Sequence, residues 1–213
     1  MPFDKGKKKV VTGAQDMHSD PSKVVELPNG NLRIYEKQKY YPPIGSLLSS
    51  KGDREKDRYA PAFDFKECQN ITLNNVTVHH ALGMAYLFER SENIKITDCK
   101  VVLPPNSNRV ISSTADATHF ANCKGDILIE GCTFENMLDD GTNVHGTYVE
   151  INKIIDSKTI RVALKHFEQT GFKFAAPGDE VWFIKHPSPA RAETNTVSNV
   201  KVLNETYMDL TFE

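Results

Sequence analysis

The stretch FERSENIKITDCKV, residues 88–101, decides the fold because the chain repeats it on both sides. A similar stretch, FKECQNITLNNVTV, precedes it at residues 65–78, and FANCKGDILIEGCTF follows it at residues 120–134. Each copy begins with Phe, has Cys or Ser three residues later, and contains an Ile-x-Ile or Ile-x-Leu pair. Repeated segments of this kind indicate a solenoid. Their Ile, Val and Thr content favours strands over helices.

The repeat predicts an all-β fold in which the three segments stack as coils of a parallel β-helix. A leucine-rich repeat is the competing solenoid, but its Leu-x-x-Leu-x-Leu signature does not occur. Equivalent residues of successive coils should lie about 4.8 Å apart. The expected ladders are Ile71, Ile94 and Ile127; Cys68, Ser91 and Cys123; and Val76, Cys99 and Cys132. Inward positions in a narrow core explain the cysteines as buried, reduced residues.

The sequence on either side of the repeat is β-like or irregular. Residues 24–50 alternate weakly between apolar and polar, and residues 51–60, KGDREKDRYA, are predicted to form a charged loop. Residues 147–213 contain short, evenly spaced strand-like runs, which suggest a small antiparallel barrel. The predicted domains are a β-rich segment at 1–60, the coils at 61–146 and a small, incomplete barrel at 147–213. Capping repeats are not recognisable, so we expect the chain to be a piece of a longer protein.

The composition excludes several classes of function. The chain has 26 basic and 28 acidic residues and a net charge of −2. A nucleic-acid or membrane surface would need a basic excess. No apolar run is long enough to span a bilayer, and the N-terminus shows no signal peptide. The cysteines lack Cys-x-x-Cys spacing, so neither metal nor redox chemistry is expected of them.

The repeat also predicts where acidic side chains meet. Counting from the first and last apolar residues of each coil places Met84, Asp116 and Asp140 in one row on successive coils, with Asp139 beside Asp140. Carboxylates held within one strand spacing repel one another and cannot all ionise freely. Close carboxylates are typical of acid/base sites. Asp116, Asp139 and Asp140 are therefore the candidate catalytic residues.

Two other interpretations of this row remain open. Residues 139–142, DDGT, could form an ordinary turn, because Asp-Gly is a strong turn signal. A metal site is the rival explanation for carboxylates near several histidines, but spacings such as H-x-H or H-E-x-x-H do not occur. The clustered histidines instead favour a sugar-binding groove. They are His79, His80, His119 and His145.

The same region resembles a known enzyme family. The stretches are NITLNNVTVHHALGMAYLFERSENIKITDCKV at 70–101, STADATHFANCKGDILIEGCTFEN at 113–136 and DDGTNVHGTYV at 139–149. They look like glycoside hydrolase family 110, which comprises bacterial exo-acting α-1,3-galactosidases, including enzymes that remove the blood group B determinant. The ADATHF and DDGTNVHG motifs are the specific part of the match, since Ile and Val ladders would suit any β-helix.

The resemblance implies a right-handed parallel β-helix of the pectate lyase and polygalacturonase type with a small β-barrel insertion. Residues 147–213 would belong to one barrel, and residues 1–60 would be a remnant of another. The family is inverting and needs no metal, so no cofactor is expected. The implied partner is a glycan with terminal α-galactose. The parent protein would be secreted, periplasmic or on the surface of a bacterium.

An inverting glycosidase needs one carboxyl as general acid and a second carboxylate to activate water. We expect Asp116 to be the acid and the pair Asp139/Asp140 to be the base, with the reverse assignment open. The candidate substrate-binding residues are His119, Asn143, His145, His80 and Tyr86. Core packing is an equal alternative for Tyr86.

Two other functions remain possible. A polygalacturonase or polysaccharide lyase acting on uronic acids needs Arg or Lys to hold the substrate carboxylate, and only Arg90 and Arg109 lie near the predicted row. A non-catalytic carbohydrate-binding β-helix would not need stacked carboxylates. Mutation of Asp139 distinguishes the two functions. It should abolish turnover in an enzyme, and it should leave glycan binding unchanged in a non-catalytic binding protein.

Overall fold

The computed structural model describes residues 1–15, 19–49, 51, 60–166, 169–188 and 190–213. Of the predicted charged loop at 51–60, residues 52–59 lie outside these described residues. The described part of the chain contains no α-helix, and hence no helix long and apolar enough to cross a membrane. The chain divides into two compact units: Met1–Phe120 with Lys124–Val144, and Ala121–Cys123 with His145–Glu213.

The N-terminal part of the first unit consists of short antiparallel strands. They are β1 (Pro2–Asp4), β2 (Lys9–Val10), β3 (Lys23–Glu26), β4 (Leu32–Tyr35) and β5 (Leu47–Leu48). Strand β1 pairs with both β2 and β5, while β3 and β4 form a hairpin. Phe3 of β1 is buried, but the β4 side chains are all exposed.

Stacked parallel coils make up the centre of the chain. Their strands are β6 (Phe63–Lys66), β7 (Gln69–Asn74), β8 (Thr77–Val78), β9 (Tyr86–Glu89), β10 (Glu92–Thr97), β11 (Lys100–Val101), β12 (Thr118–Ala121), β13 (Lys124–Glu130), β14 (Thr133–Phe134) and β15 (Thr142–His145). They form three sheets with the orders β6-β9-β12-β15, β7-β10-β13 and β8-β11-β14. Three coils each contribute one strand to each sheet, and β15 adds a fourth strand to the first sheet.

The register between coils confirms the predicted isoleucine ladder. Ile94 pairs in parallel with Ile71 on one side and with Ile127 on the other. A second ladder is aromatic: the rings of Phe65, Phe88 and Phe120 stack with centroid distances of 5.0 and 4.9 Å. Phe88 and Phe120 are fully buried. Repeating the same residue on successive coils lets flat rings and branched side chains pack face to face.

The cysteines follow the predicted register, but Cys99 alone is buried as expected. Lys100 N bonds to Val76 O, and Thr133 N to Cys99 O, which aligns Val76, Cys99 and Cys132. All four cysteines are free, and Cys99 is fully buried. The expectation of burial is wrong for Cys68, Cys123 and Cys132, which stay partly exposed because they precede the edge strands β7, β13 and β14.

Antiparallel strands form the second unit. They are β16 (Glu150–Ile154), β17 (Thr159–Ala163), β18 (Glu180–Ile184), β19 (Arg191–Val202) and β20 (Tyr207–Phe212). Their order is β16-β17-β20-β19-β18, and every pair is antiparallel. The core contains Val162, Leu164, Ala175, Val197, Met208, Leu210 and Phe212. The described strands form one sheet with β16 and β18 at its two ends, which is consistent with the incomplete barrel predicted for residues 147–213.

Candidate active site

The candidate site lies on the segments that lead into β12 and β15. Backbone hydrogen bonds of 2.9 Å join Ala85 N to Asp116 O and Ala117 N to Asp140 O. Asp116 therefore lies in the row between Met84 and Asp140, as the repeat predicts. All residues from 112 to 118 are buried.

Hydroxyl groups fix the segment that carries Asp116. Ser112 Oγ donates to Glu135 O at 2.6 Å, and Ser113 Oγ donates to Ala115 O at 2.7 Å. Thr118 Oγ1 donates to Thr142 Oγ1 at 3.0 Å on the next coil. These contacts satisfy polar groups that would otherwise be costly to bury. The Ser/Thr-rich sequence thus holds an irregular segment at a defined position.

A close approach of the backbone explains the glycine before Met84. A Cβ atom added at Gly83 would lie 2.9 Å from the carbonyl oxygen of Ala60. The carbonyl of Gly83 accepts a hydrogen bond from Ala115 N at 3.2 Å. Gly83 therefore allows the segment before β9 to pass close to Ala60 while it supports the residue before Asp116.

Three carboxylates converge at this place. One oxygen each of Asp116, Asp139 and Asp140 lies within 4.8 Å of the other two. Asp116 is only 4 % exposed, whereas Asp139 and Asp140 are exposed. The cluster therefore consists of one buried carboxyl group facing two that water can reach. Oxygens this close could also bind a hard cation such as Ca²⁺, so the expectation that the site needs no metal stays a prediction.

His119 is in contact with the buried carboxylate. Its Nδ1 lies 2.7 Å from Oδ2 of Asp116, and its side chain is only 14 % exposed. The imidazole therefore orients Asp116 within the cluster. This contact does not test the predicted role of His119 in recognising sugar hydroxyls.

Lys51 pairs with the exposed carboxylate, and sequence reasoning missed it. Its ammonium group forms an ion pair with Oδ2 of Asp139, across 88 residues of sequence. Lys51 lies outside the repeat, so the spacing that aligned the aspartates holds no signal for it.

The prediction that Tyr86 contacts a sugar is wrong. Its side chain is fully buried, and its ring stacks on that of Phe63 at 5.4 Å. The hydroxyl donates to Val76 O at 3.2 Å, and burial raises the pKa of the phenol well above its usual value. A buried ring cannot form a sugar-binding platform, so the core-packing alternative holds.

The remaining predicted binding residues differ in their surroundings. His80 is exposed, and its Nδ1 lies 3.2 Å from Ser112 O. Partial desolvation, and then the charge of Arg109, lower the pKa of His80, which favours the neutral ring near pH 7. Asn143 is partly buried in the first unit, and His145 is exposed in the second, with its Nδ1 2.9 Å from Gly146 O. Their contacts with substrate stay predictions.

Fold and site together are those of a parallel-coil protein with a candidate acid/base site. Stacked parallel coils hold a carboxylate cluster of the kind that acid/base catalysis requires, and antiparallel strands precede and follow the coils. Two family models match the flanking regions. The GLAA-B beta-barrel domain I model matches residues 1–48, and the GLAA-B beta-barrel domain II model matches residues 159–213.

Curated relatives narrow this class to a family. Alpha-1,3-galactosidase A of Shewanella woodyi is 37% identical over 158 residues, 74% of this chain and 26% of the relative. Alpha-1,3-galactosidase B of Akkermansia muciniphila is 31% identical over 219 residues, 100% of this chain and 26% of the relative. Alpha-1,3-galactosidase B of Phocaeicola vulgatus is 40% identical over 142 residues, which are 66% of this chain and 24% of the relative.

These similarities confirm the resemblance to glycoside hydrolase family 110: the chain is related to the bacterial α-1,3-galactosidases A and B over most of its length. The chain spans about a quarter of the length of these relatives.

Proposed function

We propose that the protein is a glycoside hydrolase that removes terminal α-1,3-linked galactose from glycans. The observation that carries this proposal is the convergence of Asp116, Asp139 and Asp140 within 4.8 Å. Relatives named α-1,3-galactosidases support the choice of substrate. A glycosidase needs two carboxyl groups beside the scissile bond, one to protonate the leaving oxygen and one to assist attack.

The surroundings of the carboxyl groups support different roles for them. Asp116 is buried and hydrogen-bonded to His119, which suits a general acid that delivers its proton away from bulk water. Asp139 and Asp140 are exposed, which suits groups that bind and activate a water molecule. We therefore assign Asp116 as the acid and the pair Asp139/Asp140 as the base.

Inversion of configuration is part of the proposal and rests on the family resemblance. Inverting enzymes commonly hold their carboxyl groups about 6.5–9.5 Å apart, and retaining enzymes about 5–5.5 Å apart. The 4.8 Å limit of the cluster joins one oxygen of each carboxyl group and is shorter than the separation between the groups that this rule uses. The anomer released first decides this point.

The fold and location that support this activity are also inferred. We infer that the coils form a right-handed β-helix, because crossovers between parallel strands are right-handed in about 98% of cases. We further infer that the protein acts outside the cytoplasm, where terminal galactosides of glycans are found.

The test is hydrolysis of an α-1,3-galactosyl oligosaccharide by the full protein, with NMR of the first-formed sugar. Inversion releases β-galactose, whereas retention releases the α-anomer and would refute the inverting step. Turnover that persists in EDTA supports metal-free chemistry. Absence of turnover on any α-1,3-galactoside, with or without added Ca²⁺, would contradict the proposed function.

Variants connect this activity to the cluster. Asp116→Asn and Asp139→Asn should each lower kcat by about 10²–10⁴-fold while glycan binding persists. Asp126→Asn is the matched control, because Asp126 is an exposed aspartate of β13 outside the cluster. If glycan binding is present, turnover is absent and the aspartate variants bind as the wild type does, the protein is a non-catalytic carbohydrate-binding protein.

A further inference from the structure

We propose that Asn136 is a positioning residue that sets the separation between the segment of Asp116 and the segment of Asp139 and Asp140. This inference rests on the proposed function, which assigns both segments to one reaction. Asn136 follows β14 and lies on the stretch that leads to Asp139. Its side chain and its backbone both bond to the segment that leads to Asp116.

The contacts of Asn136 join three stretches of the first unit. Its Nδ2 donates to Val110 O at 3.1 Å, and its backbone carbonyl accepts a hydrogen bond from Ser112 N at 2.9 Å. The same Nδ2 donates to Lys8 O at 2.7 Å, in the turn between β1 and β2. An amide NH₂ group has two N–H donors, so each carbonyl can receive one of them. Asn136 therefore connects the N-terminal strands and both carboxylate segments within one compact unit.

The residues after Asn136 continue this pairing up to the carboxylates. Leu138 N donates to Ser113 O at 3.1 Å, and Ala117 N donates to Asp140 O at 2.9 Å. Residues 136–140 are therefore bonded to residues 110–117 at their beginning, middle and end. Loss of the bonds at the beginning lets one carboxylate segment shift against the other. A misplacement of about 1 Å between reacting groups can lower a rate about 10²-fold.

The backbone of Asn136 determines which substitutions test the side chain alone. Its φ is 63°, in the left-handed region that Gly and Asn adopt most readily. Asn136→Gly therefore keeps the backbone conformation and removes the amide. Asn136→Asp keeps the size of the side chain, but a carboxylate cannot donate to the carbonyls of Lys8 and Val110.

The experiment compares Asn136→Gly and Asn136→Asp with the wild type in the full protein, with an α-1,3-galactosyl oligosaccharide as substrate. Both variants should lower kcat at least about tenfold, with KM within about twofold of the wild-type value. The kinetics are measured at a temperature at which circular dichroism shows each variant to be folded. A loss of kcat then reflects misplaced carboxyl groups rather than unfolded protein.

Two control variants separate the amide from its surroundings. Asn75→Gly is the matched control, because Asn75 has a φ of 54° in the turn between β7 and β8. Lys8→Met removes the contact of Lys8 Nζ with Ser107 O but leaves the Lys8 carbonyl that Asn136 binds. Both controls should keep kcat and KM within about twofold of the wild-type values.

Different outcomes distinguish this inference from the proposed function. If the wild type hydrolyses the galactoside and folded Asn136→Gly keeps its kcat, the role of Asn136 is refuted and the function stands. A raised KM with unchanged kcat would make Asn136 a substrate-binding residue and overturn the positioning role. Equal losses of kcat in Asn136→Gly and Asn75→Gly would show a general effect of Gly in turns, which also overturns it.

Failure to fold is informative as well. If Asn136→Gly does not fold, Asn136→Asp carries the test. If neither variant folds, Asn136 is required for folding and the positioning role is overturned. If the wild type hydrolyses no α-1,3-galactoside, the proposed function and this role are both refuted.

Discussion

The stacked coils and the antiparallel sheet build their cores in different ways. In the coils, the same residue recurs in register, as in the stacked rings of Phe65, Phe88 and Phe120. In the antiparallel sheet, the core positions carry unlike residues such as Val197, Met208 and Leu210. Register shifts occur in both regions, between Glu92 and Ile94 in the coils and between Val197 and Asn199 in the sheet, so the difference lies in the recurrence of the residues. In the coils, spacing along the sequence therefore gives position in space, whereas in the antiparallel sheet it does not.

The candidate site benefits from this regularity. Asp116 and Asp140 belong to irregular segments, yet both segments begin and end on strands in fixed register. Each additional coil therefore places another loop residue in the same row. A parallel solenoid can collect catalytic groups from distant parts of the sequence without any of them lying on a regular strand.

The largest expected effect comes from breaking the aromatic ladder. Phe88 is fully buried between two stacked rings, so Phe88→Ala should destabilise the first unit by about 3–5 kcal/mol. Phe212 of the antiparallel core is 6 % exposed and has an edge contact with Phe183 at 5.4 Å. Phe212→Ala should cost less.

Amide hydrogen exchange measures both effects locally. Phe88→Ala should reduce protection at Ile94 more than at Leu210, and Phe212→Ala should do the reverse. Equal losses of protection at both sites in either variant would contradict the contrast between the two cores.

A smaller effect is expected where a glycine permits close contact between segments. In Gly83→Ala the new methyl group would meet Ala60 O at 2.9 Å, so the backbone must shift at a cost of about 1–3 kcal/mol. Because Gly83 O accepts from Ala115 N, the shift should also reach Asp116 and lower kcat.

Urea unfolding and turnover test this variant together. Gly6→Ala is the control, because its nearest neighbour would be Asp4 Oδ1 at 3.5 Å, an ordinary contact. Its stability should change by no more than about 0.5 kcal/mol. Unchanged stability of Gly83→Ala would mean that the segment before β9 tolerates a side chain, and that the row of Asp116 does not depend on it.

The sequence predicted the positions of residues within the repeat, but not the contacts of residues outside it. The spacing of the isoleucines predicted their ladder, and the same count predicted the row of Asp116 and Asp140. Tyr86 shows a signal that was missed: it is the first residue of β9 and lies two residues before Phe88, so alternation along the strand places both rings on the buried face. Lys51 shows the limit of this reasoning, because a contact from outside the repeat follows no spacing rule. For residues 147–213 the sequence predicted a small antiparallel barrel but not its strand pairing, because hairpins and bulges set the register.

The smallest expected effect concerns an ion pair of the antiparallel sheet. Arg161 on β17 and Asp209 on β20 are paired residues, with Nε–Oδ1 and Nη2–Oδ2 distances of 2.7 and 3.1 Å. The hydrogen bonds from Arg161 lower the pKa of Asp209 below its usual value of 3.8. A carboxyl whose pKa is lower in the folded state stabilises the fold fully above its unfolded pKa. This contribution is lost as pH falls through the folded value.

The pair should therefore add stability above about pH 4 and none at strongly acidic pH. Asp209→Asn should reduce the urea midpoint near neutral pH and flatten its decline below pH 4, and the loss should shrink in 1 M salt. The effect should be small because both side chains are partly exposed and screened. In an Arg161→Met background, Asp209→Asn should leave the midpoint nearly unchanged. A loss as large as in the wild-type background would mean that Asp209 acts through other contacts, such as the charges of Lys201 and Lys153.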